Sequence, residues 1–440
     1  MQSIKSSRFA YARGVCRVCS FFVSACLTVA TCTGMAVAQS PVAYVYVGEN
    51  GTQTPFSAIS AFAASSDGKL TPIKGSPFTQ TANVGFMLGT NGTHFIFVGP
   101  DPSNPEGYME YLYSYEAESD GAIGQQVSAI NTTAYTGAEC PGIEPPAADI
   151  AVLDHTGQYV YVSYCGDAMQ TYKIAHATGA LTFQDTTTYA QSNSVDDPKI
   201  AGNNAYAYNM RLESLPNYGY GTGLNVFARE SGGNLDYLGD ASVTGPSLPE
   251  NYYDSFDGFP GNYYYNVDYV IPPMTSDATN HFAVDLGIGK FTPPDTDSSV
   301  GCALASFTVG GNGDLTSTNS YADMPAVCAQ AMLLSPDGKF LVLLPDNGRS
   351  LQFFHFNGAD PITPLTTVVG KSGWFTTMAW DSSNHLYVLN GLSGKLHVYT
   401  VASTGVVEAA GSPYEPPFCG YDSQDGVEGC MQNLVVRSIP

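Results

Sequence analysis

One four-part unit recurs along this chain, and its plainest copy runs from Gln330 to Thr367. Residues 331–334 and 340–344 are apolar runs of strand length joined through Ser335-Pro336-Asp337-Gly338; a third run, 351–356, ends at Asn357-Gly358, and a fourth follows at 362–367. Strand-length apolar runs punctuated by this turn chemistry describe an antiparallel meander of four strands. Such a sheet cannot bury both of its faces alone, so the chain must supply neighbours of the same kind.

It supplies six. The first copy holds 43–48, 58–62 and 67–72, which match the second, third and fourth strands of the unit and leave its first strand missing. A second copy covers 85–123, a third 149–181, a looser fourth 204–235, a fifth 269–315 with its first strand at 269–271, and a seventh 377–407. The chain ends on the alternating run 433–439, which has no partner left in sequence. Pairing it with the first copy completes that sheet. The expected fold is therefore all-β: a seven-bladed β-propeller of four-stranded antiparallel blades, closed by the C-terminal strand.

The first 38 residues carry Lys5, Arg8, Arg13 and Arg17 without an acid, then the apolar run 18–29, then Ala36-Val37-Ala38. This reads as a secretory signal over 1–38, with a single propeller domain over 39–440 and a secreted or periplasmic destination. Val23-Ser24-Ala25-Cys26 looks like a lipobox and gives lipoprotein anchoring as the second reading. No later apolar run reaches the roughly 18 residues that span a bilayer. Past residue 38 the chain keeps 12 of its 16 basic residues and all 39 acids, a formal charge of −27. That field makes nucleic acid and anionic membrane surfaces poor partners, so no nucleic acid is expected, and it disfavours anionic ligands. A monomer that binds a small molecule is expected.

Six cysteines follow the signal: Cys140, Cys165, Cys302, Cys328, Cys419 and Cys430. An even number in an exported chain, without a Cys-x-x-Cys spacing, favours disulfides; pairing between sequence neighbours is expected among the 15 connectivities that six cysteines allow. No His-x-x-x-His or His-Glu-x-x-His spacing supports a transition metal. No cofactor is expected. Calcium is the better metal candidate, at the acidic loop of Asp422, Asp425 and Glu428, although the loop lacks the spacing of an EF-hand. His94, His281 and His385 each begin a second strand, and that recurrence reads as a sheet role.

The turn Ser335-Pro336-Asp337-Gly338-Lys339-Phe340, the tail Gly68-Lys69-Leu70-Thr71-Pro72-Ile73-Lys74-Gly75-Ser76-Pro77-Phe78 and Ala410-Gly411-Ser412-Pro413-Tyr414 resemble the lactonase-type seven-bladed propellers, the group of the propeller 6-phosphogluconolactonases and carboxymuconate cyclases. The resemblance covers residues 41–440. It implies ligand binding at a mouth of the central channel, hydrolysis of a lactone, and a catalytic His just before an inner strand. Here Pro145-Pro146-Ala147-Ala148-Asp149-Ile150 stands at that point of the third copy, without the His.

Residues just ahead of each inner strand are the first suspects: Asn83, Asp149, Lys199, Asp268, Gln330 and Thr376. Opening a lactone needs a base to activate water and a donor to hold the developing oxyanion. Asp149 is assigned as the base, with Lys199 or Gln330 as the electrophilic partner; the competing reading is a set of polar residues solvating a water-filled channel. The insertion 246–273 adds Tyr252, Tyr253, Tyr263, Tyr265 and Asp268, an aromatic and acidic set suited to a sugar ring or a neutral aromatic ligand, or to packing the insertion onto the propeller. Two functions stay open: hydrolysis of a neutral sugar lactone or cyclic ester, and a non-catalytic module that binds carbohydrate, an aromatic ligand or protein.

Overall fold

The computed structural model describes residues 40–48, 58–78, 86–104, 110–133, 151–164, 168–189, 193–194, 199–200, 205–214, 220–240, 243–244, 252–254, 274–276, 281–290, 300–324, 329–345, 348–356, 358, 362–370, 374–391, 393–416 and 433–439. Among them there is no helix, and the strands form seven sheets. The fold is all-β and propeller-like.

Five sheets have the expected four strands. In the sixth, Ala329–Leu334, Phe340–Pro345, Ser350–His355 and Thr363–Val369 pair in sequence order. The seventh repeats this with Phe375–Trp380, His385–Asn390, Lys395–Ala402 and Gly405–Glu408, and the second and third sheets follow the same order over 86–131 and 151–188. In the first sheet the inner position is filled from the other end of the chain: Asn433–Ser438 pairs antiparallel with Ala43–Gly48, Val436 opposite Val45. This strand lies beside the inner strand of the second sheet, Phe86–Thr90, on one side and that of the seventh on the other.

The turns hold because one side chain caps each of them. Ser335 Oγ accepts hydrogen bonds from the Phe340 amide at 3.0 Å and the Lys339 amide at 3.2 Å. Asp154, Asp381 and Asn91 do the same work between the inner and second strands of the third, seventh and second sheets. These are the side-chain turns that Ser, Asp and Asn favour.

The sheets join through a repeated contact. The turn between the third and fourth strands of one sheet sets a left-handed glycine on an aromatic ring that begins the second strand of the preceding sheet. Gly121 rests on Tyr44, Gly179 on His94, Gly233 on Tyr159, Gly313 on Tyr206 and Gly358 on His281. Gly68 of the first sheet lies over His385 of the seventh in the same way. At Gly121, with φ of +89°, a side chain would be strained by the backbone and would also drive into the Tyr44 ring. Two residues along, buried tyrosines add a hydrogen bond to the same turns: Tyr46 OH to Gly121 O at 2.8 Å, Tyr161 OH to Gly233 O at 2.9 Å and Tyr208 OH to Gly313 O at 2.8 Å. This accounts for His94, His281 and His385 as residues of the sheet joints, as the recurrence in sequence implied.

The fourth and fifth sheets depart from the expected four strands, having five and six. Their second and third strands are longer, with 10 residues in His281–Lys290 against 6 in Phe340–Pro345. The extra length exposes more ladder, and additional short strands pair with it. In the fourth sheet Lys199–Ile200 pairs with Tyr208 and Ala207, while Asn193–Ser194 pairs farther along with Leu212 and Arg211. In the fifth, Met274–Ser276 takes the inner position and Tyr252–Asp254 pairs beyond it, Tyr252 opposite Lys290. The inner strand expected at 269–271 lies outside the described residues. Val243–Thr244 adds a parallel strand along Leu315–Met324.

Candidate functional site

The inner strands stand next to one another: Lys199–Ile200 beside Met274–Ser276, that strand beside Ala329–Leu334, and the latter beside Phe375–Trp380. Their starting ends form the candidate site, for two reasons. In the fourth and fifth sheets the segments that precede the inner strands pair with the extensions of the second strands. Those extensions therefore rise at the starting end. Three extra residues in the fourth sheet and four in the fifth, at about 3.4 Å each, extend this side by roughly 10–14 Å beyond an ordinary sheet.

The second reason is a repeated irregularity. Three inner strands carry a bulge: in mid-strand between Met87 and Gly89, and at the second residue between Ala329 and Ala331 and between Phe375 and Thr377. The extra residues are Leu88, Gln330 and Thr376. A bulge takes one residue out of the ladder and re-aims it, a device common beside active sites. Gln330 and Thr376, expected just ahead of inner strands, are thus inside them, as the bulged residues.

Two buried polar groups at these starts have no partner. Thr376, whose methyl packs at Gly391, leaves Oγ1 without a hydrogen bond, and Asn433, 2% exposed as the first residue of its strand, leaves Nδ2 unpaired. Each such group costs about 1–3 kcal/mol when nothing satisfies it.

Of the residues read from sequence, Lys199 begins an inner strand opposite Tyr208, and Gln330 sits on the bulge two inner strands away, with Met274–Ser276 between them. Tyr252 and Tyr253 belong to the added strand of the fifth sheet, at the raised end. Asp149, Asn83, Tyr263, Tyr265 and Asp268 lie outside the described residues. So do the acidic loop of Asp422, Asp425 and Glu428, and Cys140, Cys165, Cys328, Cys419 and Cys430; Cys302 lies in Val300–Val309, opposite Gly287 and Met324. Among the described residues no group of three His, Cys, Asp or Glu side chains could hold a metal ion, and no helix is long and apolar enough to cross a membrane.

The strongest buried ionic arrangements lie elsewhere, in the joints. Asp381 Oδ2 accepts from His385 Nδ1 at 2.7 Å and from Tyr387 OH at 2.9 Å. Burial pushes its carboxyl upward, but these hydrogen bonds and those from the His385 amide outweigh it, and the group is held below the usual carboxylate range. Burial, with the Asp381 charge alongside, drives the Tyr387 hydroxyl far up. In the third sheet Asp154 Oδ2 takes Arg229 Nη2 at 3.1 Å, and the guanidinium lies 4.8 Å from the Tyr159 ring centroid, tying the fourth sheet to the third.

No family model and no curated protein matches the chain. Solved structures do. A periplasmic gluconolactonase of Pseudomonas aeruginosa superposes with a TM-score of 0.52 at 16% identity, over 85% of this chain and 98% of that one. A protein of Lactobacillus plantarum gives 0.51 at 14%, over 90% and 99%. A 6-phosphogluconolactonase candidate from Bacteroides fragilis gives 0.53 at 12%, over 91% and 99%. This chain has a lactonase-type fold. At such identities the likeness concerns the fold alone.

Proposed function

We propose that this protein is an exported lactonase-like propeller that hydrolyses a neutral sugar lactone or related cyclic ester at the starting ends of its inner strands. The observation that carries the reading is the asymmetric mouth: bulged inner strands bearing Gln330 and Thr376 on one side, and the raised fourth and fifth sheets bearing Lys199, Tyr252 and Tyr253 on the other. The seven sheets form a closed seven-bladed ring. Support comes from the Asn433–Ser438 strand between the first strands of the second and seventh sheets, and from Gly68 lying over His385.

In the reaction Asp149 takes a proton from water, and the hydroxide adds to the lactone carbonyl carbon. Lys199 or Gln330 donates a hydrogen bond to the oxygen that gains negative charge. Collapse of the tetrahedral intermediate breaks the bond to the ring oxygen, which leaves with a proton as the sugar hydroxyl. The product is an aldonate, and a proton is released. The periplasmic location in the description of the Pseudomonas aeruginosa structure and the signal read over 1–38 support export. A substrate carrying a phosphate is disfavoured by the charge of −27.

The test is proton release by purified protein over a panel of neutral aldonolactones. Activity that Asp149→Asn abolishes supports the reading. The absence of hydrolysis on every lactone, with thermal stabilisation by a sugar or aromatic compound, favours the binding module instead; the aromatic strand Tyr252–Asp254 is the observation on its side.

A further inference from the structure

Trp374 immediately precedes the bulged inner strand of the seventh sheet, and at 41% exposure it is the one aromatic side chain among the exposed large hydrophobic residues described. Elsewhere in these sheets rings are consumed by packing: Tyr46, Tyr113, Tyr161, Tyr172, Tyr208 and Tyr387 are fully buried. An exposed indole at the site end needs another account.

Its position is held from both sides. Trp374 O accepts the Gly391 amide at 2.8 Å, and the next amide, Phe375, donates to Gly348 O at 2.8 Å. The pyrrole part of the indole lies against Gly348, where a Cβ would come within 2.3 Å of Cδ1 and 2.6 Å of Nε1. Gly348 has φ of +58°, so the loop between the second and third strands of the sixth sheet is shaped for a residue without a side chain. One part of the ring is braced by backbone and the rest is left to solvent. A rigid aromatic surface of this kind loses little freedom on binding.

We infer that Trp374, seated on Gly348, is the stacking platform for a neutral pyranose-type ring, which places the sugar on the low side of the mouth, over the sixth and seventh sheets. Stacking the C–H face of a sugar on an indole buries apolar surface while the hydroxyls stay in the plane, free to hydrogen-bond at the rim. The strongly negative chain favours an uncharged ring over a phosphorylated one. This inference rests on the mouth assigned above and names the ligand class it takes.

The chain has two tryptophans, Trp374 and Trp380, so Trp380→Phe leaves Trp374 as the sole indole reporter. In that variant, titration with methyl α-glucopyranoside, a neutral ring with no bond to hydrolyse, should change the emission saturably, whereas glucose 6-phosphate should do so far more weakly. In lactone hydrolysis, Trp374→Ala should raise KM about tenfold with little change in kcat, Trp374→Phe should restore most of the loss, and Gly348→Ala should reproduce it, because the platform contributes uniform binding. Hydrolysis with unmoved Trp374 emission and an unmoved KM in Trp374→Ala would overturn the platform and leave the lactonase reading intact. A saturable emission change in a protein that hydrolyses no lactone would keep the platform and reject the enzyme.

Discussion

The sixth and seventh sheets and the fourth and fifth sheets are built from the same unit and put it to different use. In the sixth and seventh, every second strand has 6 residues, one capped turn joins it to the inner strand, and both faces are buried. In the fourth and fifth, second and third strands of 9 and 10 residues overrun the joint and recruit extra strands at the starting end. The regular pair carries stability in its joints. The extended pair spends its surplus length on ladder at the candidate site, where it pairs with the added strands.

The comparison breaks most readily on activity. Asp149→Asn should lower kcat/KM for a neutral aldonolactone by about 10²–10⁴-fold with an unchanged melting temperature; retained activity would remove Asp149 as the base. In the regular sector the expected loss is of stability. Asp381→Ala leaves the His385 ring, Tyr387 hydroxyl and two amides without their acceptor, and should cost about 3–5 kcal/mol in denaturant unfolding. A loss below about 1 kcal/mol would mean that the seventh sheet does not depend on this group.

The same carboxylate sets a pH dependence. Its folded pKa is depressed, so its contribution is present above the unfolded carboxylate value near 3.9 and is lost as pH falls through the lower folded value. The denaturation midpoint should therefore drop on acidification below about pH 4, and Asp381→Asn should flatten that drop. Replacing residues 246–273 by a short Gly-Ser link, which removes the Tyr252–Asp254 strand from the raised side, should abolish activity measured by proton release. At a single joint, Tyr161→Phe removes the hydroxyl that donates to Gly233 O and accepts from Arg229 Nε, and should cost about 2 kcal/mol in denaturant unfolding, a figure that sharpens how much each joint contributes.

The joints were largely legible in the sequence. The recurring Tyr44-Val45-Tyr46, Tyr159-Val160-Tyr161 and Tyr206-Ala207-Tyr208 triplets, the turn glycines and the apolar alternation around them all follow from a repeat that must bury two faces against copies of itself. The site was legible only in part. Lys199 and Gln330 could be placed near inner-strand starts by counting along the repeat, but the bulge that carries Gln330 is a register slip between two strands and leaves no mark on either one alone. Tyr252 and Tyr253 read as members of an aromatic insertion; that they pair with Gly289 and Lys290 depends on the length of a partner strand elsewhere in the chain. Trp374 carries no mark of a site in the sequence, because one tryptophan before a strand looks like core.

Sequence by itself determined the kind of sheet, the number of copies of the unit and the use of the last strand to complete the first sheet, because alternation and turn chemistry are local and are repeated often enough to average out exceptions. Tertiary structure alone decided which glycine sits on which ring, where the ladders slip, which sheets overrun and which indole stays exposed. Each of these is a relation between segments tens to hundreds of residues apart, and close packing, which leaves no room for a Cβ at Gly348 or Gly121, settles it only once the sheets have come together.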